Sequence, residues 1–296
     1  MSGWIWMNDV EGPALADPIK PVCPDDNRES AKALIEKHRE KIDKVKEELK
    51  DEPLYEPDTK HDDLWILRFV LSHKSKTKPA VKAAKHTLEF RQKWKLDEKD
   101  IRAFHPHKVK EGNVYEYWQK RLNGDGIVML HPDKQRGVLM FIKFGHMNPD
   151  AVNVVSQEAW DESFIYSSEF AHQWLDYTTR TTGLFTRSIR ILDMRGVSLK
   201  HFSRKNTQRD AKIMDQMEDC YPQLLESLFV CYAPSFMHLI WSIARKLMPK
   251  RVTEKVDVIE PHQNEKERQR ILHHISMENL HQDFGGTNTT PVVEMS

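Results

Sequence analysis

The sequence has few cysteines and no excess charge of either sign. Cys23, Cys220 and Cys231 are its three cysteines and form no CxxC pair, so neither a disulfide framework nor a cysteine-rich zinc cluster is expected. The 45 basic and 45 acidic side chains give a formal net charge of zero, which argues against nucleic acid as the main partner. These features predict a cytoplasmic globular protein that does not act on nucleic acid.

Long hydrophobic runs are also missing. The most apolar segment, 228–249, has its longest part between Pro234 and Pro249, which enclose 14 residues. A helix of that length spans about 21 Å, whereas a bilayer core is roughly 30 Å thick. Arg245 and Lys246 also lie within this segment. The sequence therefore predicts no membrane-spanning helix.

The sequence lacks four motifs of common enzyme chemistry: GxGxxG, GxxxxGK[ST], HExxH and GxSxG. The closest histidines, His273, His274 and His281, lie in a polar stretch that we interpret as solvated surface and not as a metal site. Asp193, near Arg195 at a predicted strand end, is interpreted as a turn-capping carboxylate. We expect no enzyme, metal or cofactor; a small-molecule enzyme that uses Asp193 is the least favoured alternative.

The periodicity of the chain divides it into a helical part and an α/β part. Residues 1–27 contain four prolines and predict a flexible lead-in, and residues 28–120 predict an all-helical module. Within that module, helices are predicted over 28–50, 61–74, 79–95 and 97–104. After about residue 120, short apolar strands alternate with helices, which predicts a mostly parallel sheet with helices packed on it. The predicted strands are 126–132, 137–143, 188–194, 228–233 and 255–261, and the predicted helices are 157–177 and 208–221.

The helix after Pro234 is apolar on too many sides for an ordinary surface helix. From Phe236 to Met248, nine of thirteen residues are apolar, whereas packing on a core needs only about a 100° arc. One interpretation is a deeply buried helix. The other is a helix with one face on the sheet and one on a bound lipid or a bilayer. Four basic residues near its end suit anionic headgroups: Arg245, Lys246, Lys250 and Arg251.

Arg190 lies in the middle of the predicted strand 188–194. Strand alternation places Ile189 and Ile191 on one face and Ser188, Arg190 and Leu192 on the other. A central arginine is costly in a sheet covered on both sides unless it meets a carboxylate or a ligand anion. A structural ion pair and a contact with a ligand phosphate are therefore both open.

The order of several motifs resembles that of the CRAL-TRIO lipid-binding family, which includes phosphatidylinositol/phosphatidylcholine transfer proteins. The resemblance covers about residues 60–287. The motifs that carry it are LRFVLSHK, HPDKQRGVLMF, ILDMRGVS, YPQLLESLFVCYAPSFM, KVDVI and ENLHQDFGG.

This resemblance implies a lipid-binding domain over 121–287, followed by a tail over 288–296. In it, a mostly parallel sheet and its helices would enclose an apolar pocket for one lipid, the cargo. The helix 235–248 would be a gate that opens at a membrane surface, so that the protein exchanges phospholipid or another hydrophobic ligand as a peripheral, monomeric transfer protein. The main alternative is an adaptor that senses a lipid and binds a protein partner without transfer.

The resemblance also implies roles for individual residues. Lys255 and Asp133 match residues near an inositol phosphate; Gln223 stands where an acidic residue is expected, and His73, followed by Lys74, where an arginine is expected. Ser188 keeps one of two hydroxyl positions that serve phosphatidylcholine, and Arg190 occupies the other. We expect Arg190 and Lys255 to lead the headgroup contacts. The expected contacts with the pocket or gate are Met129, Met140, Phe229, Cys231, Phe236, Ile240 and Trp241.

Overall fold

The computed structural model describes residues 13–20, 26–123, 127–130, 139–217, 219–239, 241–242, 250–262 and 264–290. Its N-terminal part is all helical, as predicted. The helices are α1 (Ala31–Lys37), α2 (Arg39–Leu49), α3 (Asp63–Ser72), α4 (Thr77–Trp94) and α5 (Gly112–Lys120).

Several helix boundaries differ from the predicted ones. The predicted helix 28–50 is two helices, because the backbone of His38 leaves the helical region (φ −109°, ψ 11°). The predicted helix 97–104 is wrong, since only Leu96–Glu98 form a single 3₁₀ turn there. Helix α5 was not predicted; it packs on the core through Val114, Tyr117 and Trp118.

The sheet has five strands in the order β1 (Ile127–Leu130), β2 (Leu139–Lys143), β3 (Ser188–Asp193), β4 (Leu225–Cys231) and β5 (Val256–Ile259). β1 runs antiparallel to β2, and β2 to β5 are parallel. The mostly parallel sheet predicted from the alternation of elements is thereby confirmed.

The helices that follow the strands are α6 (Gln157–Thr182), α7 (Arg204–Gln216), α8 (Lys250–Thr253) and α9 (Glu265–Leu272). α6 is longer than predicted and ends at Gly183, whose φ of 67° suits glycine. In its last turns the Thr179 and Thr182 hydroxyls donate to the carbonyls of Leu175 and Thr178, at 2.7 and 2.6 Å. Within the described residues, no helix combines the length and apolar character needed to cross a bilayer.

The two faces of the sheet have different partners. On the front face, Met140, Arg190, Leu228 and Val256 are neighbours across the strands. On the back face, a buried apolar cluster joins the sheet to the C-terminal segment. Its members are Leu139, Phe141, Ile189, Ile191, Phe229, Cys231, Ile259, Ile271, Ile275, Leu280 and Phe284.

The sequence Phe284-Gly285-Gly286 closes the back face. The Phe284 ring stacks on Phe141 with centroids 5.2 Å apart. Gly285 has a φ of 87°, and a Cβ on Gly286 would lie 1.8 Å from the Leu280 carbonyl oxygen. Both glycines are therefore required for this turn to bring Phe284 against the sheet.

Ion pairs join the helical module to α6, and one of them is buried. Arg91 of α4 donates two hydrogen bonds to Glu169, both 3.1 Å long, and the Glu169 side chain has no exposure to solvent. Arg180 pairs with Asp62 at the start of α3, at 2.7 Å. These contacts fix the position of the module beside the sheet, which is where the cavity described below is formed.

Candidate functional site

A cavity of about 590 Å³ lies on the front face of the sheet, between the sheet, the helical module and helices α6 and α7. Most of its described lining is apolar. The apolar lining side chains are Leu34, Leu71, Phe164, Phe185, Met214, Met217, Tyr221, Leu224, Leu225, Leu228 and Val252.

Polar side chains line one edge of this cavity, at the amino ends of three parallel strands. Arg187, Gln223 and Lys255 come shortly before β3, β4 and β5. Gln223 accepts a hydrogen bond from Arg187 (3.1 Å) and donates one to the Ser72 hydroxyl (3.2 Å). The Lys255 ammonium donates to the carbonyl oxygen of Leu225. This edge is a network of charged and amide groups that a polar headgroup can join.

Arg190 is different, because it lies on the sheet floor and not at the edge. Its side chain is half-buried and reaches the cavity from the third residue of β3. Its Nε atom is shielded from solvent and has no hydrogen-bond partner among the described residues. Burial lowers the pKa of Arg190 to about 10, so the guanidinium remains charged at neutral pH. The described part of the chain places no carboxylate in an ion pair with it.

The comparison with protein families agrees with this architecture. Residues 122–286, more than half of the chain, match the model of the CRAL/TRIO domain.

The chain belongs to the CRAL/TRIO domain family.

Two of its curated relatives are phosphatidylinositol/phosphatidylcholine transfer proteins of Arabidopsis thaliana. The protein SFH4 is 32% identical over 104 residues, which are 34% of this chain and 16% of SFH4. The protein SFH7 is 27% identical over 103 residues, which are 35% of this chain and 18% of SFH7. The matched stretch is thus less than a fifth of each relative's length.

A solved structure shares the fold over almost the whole chain. The crystal structure of Sfh5 superposes with a TM-score of 0.53 and covers 90% of both chains, at 14% sequence identity. At that identity the likeness concerns the fold alone. The CRAL/TRIO fold predicted from the motif order is therefore confirmed.

The CRAL/TRIO cavity brings together four of the predicted headgroup residues: Lys74, Arg190, Gln223 and Lys255. His73 is not among the described lining residues; its Nε2 lies 3.6 Å from Oδ1 of Asp219. The fully buried Ser188 donates its hydroxyl hydrogen to the Leu224 carbonyl at 2.7 Å. Asp133 lies outside the described residues.

Two predicted pocket contacts need correction. Phe229 and Cys231 point to the back of the sheet, where they are buried with Ile191 and Phe284. The reason is strand alternation, since Arg190 lies beside Leu228, which puts Leu228 on the cavity face and its neighbour Phe229 on the other. Burial raises the pKa of the Cys231 thiol well above its usual range, as expected for an unreactive core position.

The other predicted pocket and gate residues are placed as follows. Met140 is buried in the core with residues of α5 and α6, and Met129 is described only in its backbone, where it pairs with Met140. In the predicted gate, 237–239 and 241–242 are helical, Phe236 and Trp241 are half-buried, and Ile240 lies outside the described residues. The described cavity lining includes no residue of 235–242.

Sequence reasoning missed several lining residues. Met214 and Met217, three residues apart, reach the cavity from α7 and from just after its end. Their spacing places them on one helix face, which was the available signal. Arg187 was missed because it lies just outside the predicted strand, and only its position beside Gln223 and Glu226 reveals it.

Proposed function

We propose that this CRAL/TRIO protein binds one lipid-like molecule in the front-face cavity and exchanges it at membrane surfaces. The cavity itself is the observation that supports this proposal most directly. It combines a mostly apolar lining with a polar edge at the amino ends of β3, β4 and β5. The proposal includes no covalent step, and it describes a monomer that associates with membranes peripherally.

The apolar lining supports retention of an acyl chain. Each methylene transferred from water into such a lining contributes about 0.8 kcal/mol. Side chains such as Met214 and Met217 adapt to different chain shapes because thioethers are flexible and polarizable. The cavity thus suits a hydrophobic tail without demanding a single tail structure.

The polar edge supports binding of a headgroup. Lys255 at this edge and Arg190 on the sheet floor lead the proposed headgroup contacts. Further candidates are Gln223, Lys74, His73, Ser188 and Asp133. Because the relatives are phosphatidylinositol/phosphatidylcholine transfer proteins, these two phospholipids are the first cargoes to test.

Exchange requires contact with a membrane, for which the segment after Pro234 is the proposed gate. Leu239, an apolar residue in its helical part, is 51% exposed. Lys250 follows the segment, and its side chain is 86% exposed. Exposed apolar and basic side chains, such as Leu239 in this segment and Lys250 just after it, are suited to an anionic bilayer surface.

Transfer of fluorescent phosphatidylcholine and phosphatidylinositol between vesicles tests this function. Leu239→Asp should slow transfer about tenfold or more, because burying a leucine in the interface contributes about 1.5–3 kcal/mol. Leu199→Asp is the matched control, since Leu199 is 60% exposed in the 3₁₀ turn Leu199–Phe202.

Equal slowing by both variants would refute the assignment of 235–248 as the gate. Cargo loading without any transfer would favour the alternative of a lipid-sensing adaptor. Failure to load either phospholipid or any other lipid would refute the proposed function.

A further inference from the structure

We infer that Arg190 receives an anionic group, a carboxylate or a phosphate, of an acyl-chain amphiphile inside the cavity. This inference rests on the proposed function and specifies the chemical class of the cargo. It concerns a position on the sheet floor, separate from the polar edge formed by Arg187, Gln223 and Lys255.

Arg187 and Lys255, the two cations of the edge, already have partners in the protein, whereas the Arg190 side chain has none among the described residues. Arg187 forms an ion pair of 2.5 Å with Glu226. Among the acids that line the cavity, Asp219 lies beside His73 and Glu254 lies 3.8 Å from Lys250.

The Arg190 side chain has neither a hydrogen bond nor an ion pair with any residue that the structure describes, and its Nε atom is sealed from solvent. Desolvation is the cause of its lowered pKa, with no neighbouring charge contributing. A charge kept in such surroundings is costly unless something compensates it. A ligand anion would provide that compensation.

Arg190 lies well inside the cavity along strand β3. It lies three residues beyond Arg187, which at about 3.3 Å per residue places it roughly 10 Å inward from the edge. Its neighbours on the same face are Met140 and Leu228, both apolar. A planar guanidinium with several donors matches the oxygens of a carboxylate or phosphate, and does so more strongly where water is excluded.

The cavity is also large enough for an acyl chain. The cavity of about 590 Å³ equals roughly twenty water volumes of about 30 Å³ each. That space holds an acyl chain with a small head group, so single-chain amphiphiles are suitable first probes.

The experiment compares parinaric acid with parinaryl alcohol, whose chains are the same and whose fluorescence rises in an apolar site. The full chain, stripped of co-purified lipid, should bind the acid at least about tenfold more tightly than the alcohol. Arg190→Met should abolish this preference by weakening binding of the acid and leaving the alcohol unaffected. Arg190→Lys should keep part of it, because the charge remains while the paired donors are lost.

Lys82→Met is the matched control, since it removes one positive charge from the exposed face of α4, and it should bind both probes as the unmodified chain does. Competition with oleate, with oleoyl phosphate and with phosphatidylinositol vesicles distinguishes the source of the anion. A carboxylate cargo predicts displacement mainly by oleate, and a phosphate cargo predicts displacement mainly by one of the other two.

Equal affinity of the unmodified chain for acid and alcohol would overturn the inference but leave the proposed function intact, because the cavity would still bind a chain. The same conclusion would follow if Arg190→Met kept the preference for the acid. If neither the probes nor phospholipids bound, the inference and the proposed function would both fail.

Discussion

Replacing Arg190 with methionine should stabilise the ligand-free protein, although it removes a large partly buried side chain. Burial lowers the pKa of Arg190 from the ordinary arginine range to about 10, and each pKa unit corresponds to about 1.36 kcal/mol. The charged guanidinium therefore costs about 3 kcal/mol in the empty cavity. The methionine side chain replaces most of the apolar stem of arginine and carries no charge. The free energy of unfolding should therefore rise by about 1–3 kcal/mol.

The sign follows from linkage. The pKa of this base is lower in the folded state than in the unfolded state, so the unfolded state binds the proton more tightly. The penalty is therefore complete at every pH below about 10 and is relieved only as the pH rises above that value. At neutral pH, urea unfolding of the stripped protein measures the whole effect.

The opposite result would refute this reasoning. If Arg190 had a structural ion-pair partner, its removal would cost about 3–5 kcal/mol, because the partner would be left buried and unpaired. Lys82→Met should change the free energy of unfolding by no more than about 0.5 kcal/mol, as is usual for surface sites. In the Arg190→Ala variant, we expect a larger effect on cargo retention than on the free energy of unfolding.

Three further predictions concern stability. Arg91→Met should lower the free energy of unfolding in urea by about 3–5 kcal/mol, because the fully buried Glu169 carboxylate loses its arginine partner. Adding Glu169→Leu should recover most of that loss. If it recovers none, the ion-pair explanation is contradicted. Phe284→Ala should cost about 3–5 kcal/mol and lower the melting temperature, since its ring stacks on Phe141 in the back-face cluster; a loss below about 1 kcal/mol would show that this packing is unimportant. Burial lowers the pKa of His61 from 6.5 to about 4, so the unfolded chain binds a proton that the folded chain does not. The contribution of His61 to the free energy of unfolding should therefore be constant above pH 6.5 and should fall by up to about 3 kcal/mol as the pH drops to 4. His61→Asn should flatten this pH dependence of the unfolding midpoint, and an unchanged slope would assign the effect to other groups.

The parts of the fold that the sequence predicted well are those with strong periodicity. The strand 188–194 was placed within one residue of β3, and alternation correctly put Arg190 and Ile191 on opposite faces. The start of β4 was missed by three residues because Glu226 and Ser227 interrupt its apolar run. The break at His38 had no glycine or proline to indicate it.

The candidate site was less predictable because it is assembled by packing between distant segments. Leu34, Met214 and Leu228 line one cavity, although about 180 residues separate the first two along the chain. The alternation of side chains within one strand does not show which residues of the neighbouring strand lie on the same face of the sheet. That is why Phe229 was assigned to the cavity while its neighbour Leu228 occupies it.

The stacking of Phe284 on Phe141 has a consequence for the order in which the chain folds. The two rings are 143 positions apart, so the ribosome completes Phe284 roughly 7–29 s after Phe141 at about 5–20 residues per second. Until then the back of the sheet has no cover from Ile271, Leu280 or Phe284. Nascent chains stalled before residue 271 should therefore bind chaperones and aggregate, whereas released chains that extend beyond residue 290 should not.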